Sequence, residues 1–407
     1  MVIKMMTMYE AFNDLMFISK ALELFRLEAE LKQEIIQSLK QQGFKITENY
    51  EILPNGVSKE DLKKAHYLRK LEQLKKRRKF ILNKNNLKLV KEYSVNGNDL
   101  EVDSIKVVLK KIETDEDVTL FRWWNLTWWS LPYERPFGRQ IRYLLWDKTH
   151  DAVFGLVQLQ SPPLHSKVRD SYLGLTRENK DYWLNQSMYA QRVGAVPPYN
   201  YLLGGKLVAM SLVSKELRQL YVSKYKGKKT ILRERKLPTR LLFITTTSAY
   251  GKSSMYERLK YGKIPISIFI GYTQGSGTFH ISDSTYQKLI RYLQLLGVNT
   301  KRGYGTGPSR KLRLISKAFR ELGFKSKNGK PFVYHNIKRG YYLFPHVSNL
   351  NDVIHKGKKP KYYKFTMSDL YKYWYNRWLL PRSQRCTSWR KFNIDQYIEN
   401  VRNEIKG

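Results

Sequence analysis

The sequence predicts an α+β protein: a helical amino-terminal region over residues 1–92, a mixed α/β core over 93–285, and a basic, mainly helical carboxy-terminal region over 286–407. Three observations predict it. Apolar residues recur at helical spacing near both ends, strand-like and helix-like runs alternate between Gln140 and Tyr272, and 42% of the 407 residues are hydrophobic. That is enough apolar material for packed interiors, and too much length for one ordinary core.

Each element follows from spacing. Phe12, Leu15, Met16, Ile18, Leu22, Leu24 and Phe25, then Leu31, Ile35, Ile36 and Leu39, mark a long helical stretch that Gly43 stops. Ser58 with Asp61 three residues on forms a capping pair, opening a helix through Leu71 and Leu74 that ends in five consecutive cations at 75–79. Asn96-Gly97 predicts a hairpin turn between strand-like segments. Trp123, Trp124, Trp128 and Trp129 put four indoles in seven positions, a density that favours mutual burial over a base-stacking platform. Strands are expected at 141–146, 152–159, 241–246 and 266–271, and helices at 179–189, 202–224 and 253–259. The tail returns to helices at 286–296, 310–322 and 367–379, with a short strand at 340–344 among them.

Charge bounds the function. Lys and Arg number 74 against 35 acids, a formal net charge of +39. Self-repulsion of that size destabilises a compact state, and a polyanion relieves it. Duplex DNA offers one negative charge per ~1.7 Å of axis. The expected partner is therefore DNA, single- or double-stranded, and no membrane. A single cysteine, Cys386, rules out an internal disulfide and a thiolate zinc cluster. The first residues read as a helix and not as a signal peptide, and no run of ~18 uncharged apolar residues occurs, so a cytoplasmic protein is expected.

Four segments are candidates for chemistry. In the first, Pro197-Pro198-Tyr199-Asn200 leads into a helix start with Gly204, Gly205 and Lys206, where free N–H groups and glycine backbone suit either a phosphate or close packing on a sheet. Arg192, Tyr199, Asn200 and Lys206 are its candidate nucleic-acid contacts. In the second, a buried strand delivers Thr246, Ser248, Lys252, Ser253, Ser254, Tyr256 and Glu257 to a turn and helix start. Gly251-Lys252-Ser253 echoes a phosphate-binding loop, but Thr246 stands where that motif needs glycine, so ATP hydrolysis is not expected. The third carries His280 and Asp283, residue types suited to acid–base or metal work. The fourth joins Gly303, Gly305 and Gly307 to Arg302, Arg310 and Arg313, the preferred backbone contact. A nuclease would need clustered carboxylates to hold Mg²⁺, for which Asp170, Glu178, Glu257 and Asp283 are candidates without a recognisable spacing. Tyr341-Tyr342 suits DNA-joining chemistry, but 29 tyrosines make any one uninformative.

Together these segments resemble the DruA family of the Druantia anti-phage defence systems. The family-like runs are Pro-Pro-Tyr-Asn-x-Leu-Leu-Gly-Gly-Lys-Leu at 197–207, Thr-Thr-Ser-x-x-Gly-x-Ser-Ser-x-Tyr-x-Arg-Leu at 246–259, Gly-Tyr-Thr-x-Gly-x-Gly-x-Phe-His at 271–280, Gly-x-Gly-x-Gly-Pro-x-x-x-x-Arg at 303–313 and Arg-Trp-Leu-Leu-Pro-Arg at 377–382. Ser309 stands where an aromatic is commoner, and the amino-terminal helices match weakly. The resemblance spans roughly 120–385 and implies a part in defence against phage beside a large helicase-like protein, with relatives near mobile elements. It implies no established catalysis. The order of elements over 193–259 also resembles a GNAT-like acetyltransferase core, although Pro197-Pro198-Tyr199 occupies the place of its glycine-rich coenzyme-A turn. The expected functions are then a nucleic-acid-binding defence protein that nicks or processes DNA if it is catalytic, a GNAT-like transferase, or an adaptor for a defence helicase.

Overall fold

A computed structural model describes residues 2–53, 58–230, 233–273, 281–301, 310–326 and 338–407, with backbone alone at 2–14, Lys59 and Ala65. Contacts divide the chain into two compact units, each made of two stretches: Met1–Arg69 with Gln274–Ile337, and Lys70–Thr273 with Lys338–Gly407. Each unit thus joins stretches far apart in the sequence.

The second unit is built on a seven-stranded sheet. Its strands are β1 (Val107–Lys111), β2 (Gln140–Asp147), β3 (Ala152–Gln160), β4 (Ser187–Ala195), β5 (Phe243–Thr247), β6 (Ile268–Tyr272) and β7 (Gly340–Pro345). They lie in the order β6-β7-β5-β4-β3-β2-β1, and only β4 and β5 run parallel. Every residue of β3 and β7 is buried, as expected of central strands covered on both faces. Two glycines show what covers them. A Cβ on Gly155 would lie 2.7 Å from Val208 of the Gly204–Met210 helix, and one on Gly194 would lie 2.5 Å from Trp128, just past the Asp115–Thr127 helix. Gly155 pairs with Ala195 and Gly194 with Leu156, so the two helices sit on opposite faces.

The indole-rich segment is core, as its density suggests. Trp123 and Trp124 are wholly buried, edge to face at 5.1 Å, and Trp123 donates its ring N–H to the Ile81 carbonyl at 3.1 Å. Three guanidinium groups are architectural: Arg139 holds the carbonyls of Leu184 and Ser187, fully buried Arg169 holds those of Pro163 and Leu164, and Arg192 holds that of Pro132.

The first unit packs the Val2–Gln41 helix with the helices Asp283–Leu295 and Arg310–Glu321 around Leu31, Ile35, Leu39, Leu293, Ile315 and Phe319. The long helix supplies acids to its neighbour: Glu23 pairs with Arg291 at 2.8 Å, and Glu30 and Glu34 pair with Lys288 at 2.5 and 2.7 Å. The Ser58–Asp61 capping box forms in both directions, at 3.0 Å each way. Earlier apolar positions are not buried: Leu15 is 66% and Phe25 77% exposed.

Several expectations need correction. The helix expected over 179–189 ends at Leu184, and Ser187 opens β4, because pairing with β3 and β5 outweighs local propensity. Residues 253–259 form turns and no helix; Arg258 has φ 57° there. Asn96-Gly97 makes a turn but no hairpin, since β1 is the first strand after it. Gly97 is needed for another reason: a Cβ would strike the Trp389 carbonyl at 2.0 Å, and its own N–H donates to Phe392 at 2.8 Å. Residues 340–345 lie inside the sheet between β5 and β6, not as a minor strand among helices. No helix among the described residues is long and apolar enough to cross a membrane.

Candidate functional site

The second unit gathers the described parts of three distant motif segments, 197–207, 271–273 and 377–382, around one turn, residues 248–259. The turn leaves β5 and is fastened to the start of β7. Ser248 N–H donates to the Gly340 carbonyl at 2.9 Å, while Gly340 N–H donates to Ser248 Oγ at 3.0 Å and to the Gly251 carbonyl at 2.6 Å. A side chain on Gly340 would meet that carbonyl at 2.9 Å, which is why the strand must open with glycine. Tyr342, one residue pair along β7, is the hub. Its hydroxyl accepts from Ser253 N–H at 3.0 Å and donates to Glu257 Oε1 at 2.8 Å. Burial, reinforced by Glu257, pushes this phenol up to about 12, so it is a fixed donor and not a ready nucleophile.

The Pro-Pro segment reaches the same turn through Lys206. Its ammonium donates to the Ser254 carbonyl at 2.9 Å and to the Glu257 carbonyl at 3.5 Å, and lies 5.4 Å from the Trp378 ring. Burial lowers the lysine's pKa. Arg382 donates to the Tyr201 carbonyl at 3.0 Å, tying the 377–382 segment to the first. The 271–273 end of the third segment closes the cluster: Thr273 N–H donates to Arg339 at 2.9 Å, and Lys252 lies 4.6 Å from the Phe269 ring beside it. On the opposite side of β5, Tyr189 and Thr247 share a hydrogen bond of 2.7 Å.

The expected contact residues separate into two groups. Arg192 is buried beneath Trp129, donating to Asn125 at 3.1 Å and Pro132 at 2.8 Å; burial lowers its pKa to about 10. Tyr199 is buried and donates to Asp147 at 2.8 Å, in a network where Asp147 also bonds His150 at 2.6 Å. Ser248 and Tyr256 are buried too, and burial raises the Tyr256 phenol strongly. These four hold the fold and present nothing to a ligand. Gly204 belongs with them, because a Cβ there would meet the Tyr199 carbonyl at 2.7 Å and Phe154 at 2.9 Å. Asn200, Lys252 and Ser254 are exposed, with Ser253, Lys206 and Glu257 half-buried beside them.

Of the candidate catalytic groups, Asp170 is engaged by Arg169 at 2.6 Å, and Glu257 by Tyr342. Asp283 belongs to the other unit, where Lys311 lies at 3.2 Å and Arg69 at 3.5 Å; Arg310 and exposed Arg313 are there as well. His280 and Arg302 lie outside the described residues. Among the described residues no three of His, Cys, Asp and Glu gather as a metal site.

Beyond Lys252, which the sequence singled out, the rest of the cationic surface around the turn was not foreseen from sequence. Lys252, Arg258, Lys260, Lys263, Lys364, Lys372 and Arg377 are all exposed and enter no ion pair among the described residues. Nor could one tyrosine among 29 be recognised as the hub.

The family model for the Druantia protein DruA matches residues 57–356. The curated Druantia protein DruA of Escherichia coli (strain UMEA 4076-1) is 32% identical over 382 residues, covering 93% of each chain. No solved structure matches. The gathered motifs are thus those of a known lineage, and the chain belongs to the DruA family of the Druantia anti-phage defence systems.

Proposed function

We propose that this protein serves defence by binding the sugar-phosphate backbone of nucleic acid through the exposed face around the 248–259 turn. The observation that carries the reading is the set of seven exposed, unpaired cations there, in a chain with 74 basic and 35 acidic side chains. Cations without carboxylate partners repel one another, and phosphates relieve that repulsion while releasing counterions. The test is fluorescence anisotropy with labelled single- and double-stranded DNA across a salt series. With ~6–10 phosphate contacts, affinity falls ~10³–10⁵-fold between 50 and 200 mM salt. A flat salt response overturns the reading. Repeating the incubation with Mg²⁺ and resolving the products on a gel separates nicking from binding.

A GNAT-like core is supported by one observation, the lone parallel junction β4–β5 crossed over by helices in an otherwise antiparallel sheet. The geometry argues against acyl transfer, because the backbone where coenzyme A would sit is packed against Phe154 and Tyr199. Calorimetry with acetyl-coenzyme A discriminates; heat of binding would revive it. An adaptor role beside a helicase-like partner predicts co-purification with that partner by a protein without DNA affinity.

A further inference from the structure

Beside the turn, the hairpin formed by Lys260–Tyr261 and Ile264–Pro265 faces the helix Met367–Trp374 across a recess of about 420 Å³, lined by Tyr261, Asp369, Lys372, Tyr373, Asn376 and Arg377. That volume falls in the range of small-ligand pockets, ~300–1,000 Å³. Two of the lining rings, Tyr261 and Tyr373, belong to a longer series of ring contacts that continues behind the recess. Tyr363 stacks on Phe365 at 5.1 Å, Phe365 meets Tyr261 at 4.8 Å, Tyr261 meets Tyr373 at 5.0 Å, and Tyr373 meets Trp378 at 5.6 Å, with the Lys206 ammonium beyond.

The last ring pair depends on an irregularity. Tyr373 and Trp378 are five residues apart, which in an α-helix puts them roughly 140° apart around the axis. Here the helix continues as a π segment, Tyr375–Leu379, whose wider turn brings positions five apart onto one side. Such segments are rare and are frequent at functional sites.

Cations flank the rings: Lys260 and Lys263 on the hairpin, Lys364, Lys372 and Arg377 on the helical side, all exposed. The single acid in the lining, Asp369, is occupied as a cap by Thr366 N–H at 2.9 Å and Thr366 Oγ1 at 2.7 Å. Its pKa is lowered by those bonds and, less, by Lys372.

The geometry points to this recess as a binding site for single-stranded nucleic acid, with bases against Tyr261 and Tyr373 and phosphates on the flanking cations. The inference rests on the nucleic-acid reading above and narrows it to a strand type and a place. A duplex keeps its base faces stacked inside and has none to lay on the rings; an unpaired strand offers every base face.

The test uses the full chain with a fluorescein-labelled 20-mer of thymidylate, a uridylate 20-mer and a duplex of equal length. The triple variant Lys263→Ala, Lys372→Ala, Arg377→Ala is expected to bind thymidylate at least about tenfold more weakly, with a salt slope shallower by about 2, at ~0.7 per phosphate. The control triple Lys84→Ala, Lys88→Ala, Lys106→Ala should stay within about threefold. Independently of any variant, photo-cross-linking of the wild-type chain to a 5-iodouracil-substituted strand should place the adduct on Tyr261 or Tyr373 by mass spectrometry. The thymidylate and uridylate arms tell which sugar the recess takes, and tighter binding of either than of duplex supports the site. Wild-type binding retained by the recess variant, adducts elsewhere, equal affinity for duplex, or displacement by polyglutamate at matched charge overturns it while leaving the broader reading standing. Absence of binding to any nucleic acid overturns both.

Discussion

In the helical unit, Lys288 and Arg291 each find a carboxylate on the long amino-terminal helix; in the sheet unit, seven exposed cations around the 248–259 turn find none. The same residue type has a third fate inside the sheet unit, where Arg139, Arg169 and Arg192 hold backbone carbonyls. A net charge is therefore a poor map of a binding surface. Paired surface cations contribute little, buried ones hold the fold, and exposed unpaired ones are the candidates for meeting a polyanion.

The comparison can be broken most forcefully from the interior. Arg192→Ala leaves the Asn125 and Pro132 oxygens without a donor, at ~1–3 kcal/mol each. Thermal unfolding should drop by several degrees, whereas a variant that melts normally but loses DNA affinity would return Arg192 to the binding surface.

Next in size is a pH effect at buried His346. Burial, then Arg218 beside it, pulls its pKa well below 6.5. The folded state thus holds fewer protons than the unfolded chain below pH 6.5, so this contribution is present above that pH and lost as pH falls, at up to about 1.4 kcal/mol per unit. Urea unfolding of wild type and His346→Leu at pH 7 and pH 5 should show the steeper loss in wild type. Equal slopes would mean that the buried ring is not held neutral.

Glycines at the Gly204–Met210 helix sharpen the contrast between packing and ligand contact. Gly204→Ala meets backbone and an aromatic ring, and should cost about 1–3 kcal/mol. Gly205→Ala meets only the end of Met255 at 3.0 Å and should cost under about 1 kcal/mol, with DNA affinity unchanged. Selective loss of affinity in Gly205→Ala would revive a phosphate cradle there.

The smallest effect is expected where the cations are already satisfied. Lys288→Ala with Arg291→Ala should leave DNA affinity within about twofold, because those side chains sit on Glu23, Glu30 and Glu34. A loss as large as that of the recess variant would end the distinction between the units.

Much of this was legible in the residues. Strands β2, β3 and β5, the Ser58–Asp61 cap, the burial of the indoles and the family motifs all follow from short-range pattern. The failures share a cause. Residues 253–259 have a helical pattern, but Tyr342 takes the Ser253 N–H and Lys206 takes the Ser254 carbonyl, both from elsewhere in the chain. Likewise Tyr199 and Arg192, attractive as polar residues beside glycines, are claimed by Asp147, Asn125 and Pro132.

Composition and periodicity alone determined that this chain folds, carries an α+β core and bears a large positive charge, because burial and charge are sums over residues. Which cations stay unpaired, and which polar motif residues turn inward, only tertiary structure decided. A hydrogen bond or ion pair depends on what lies within a few ångströms, and here those neighbours lie scores of residues away in the chain, as between Lys206 and Trp378 or Tyr342 and Glu257.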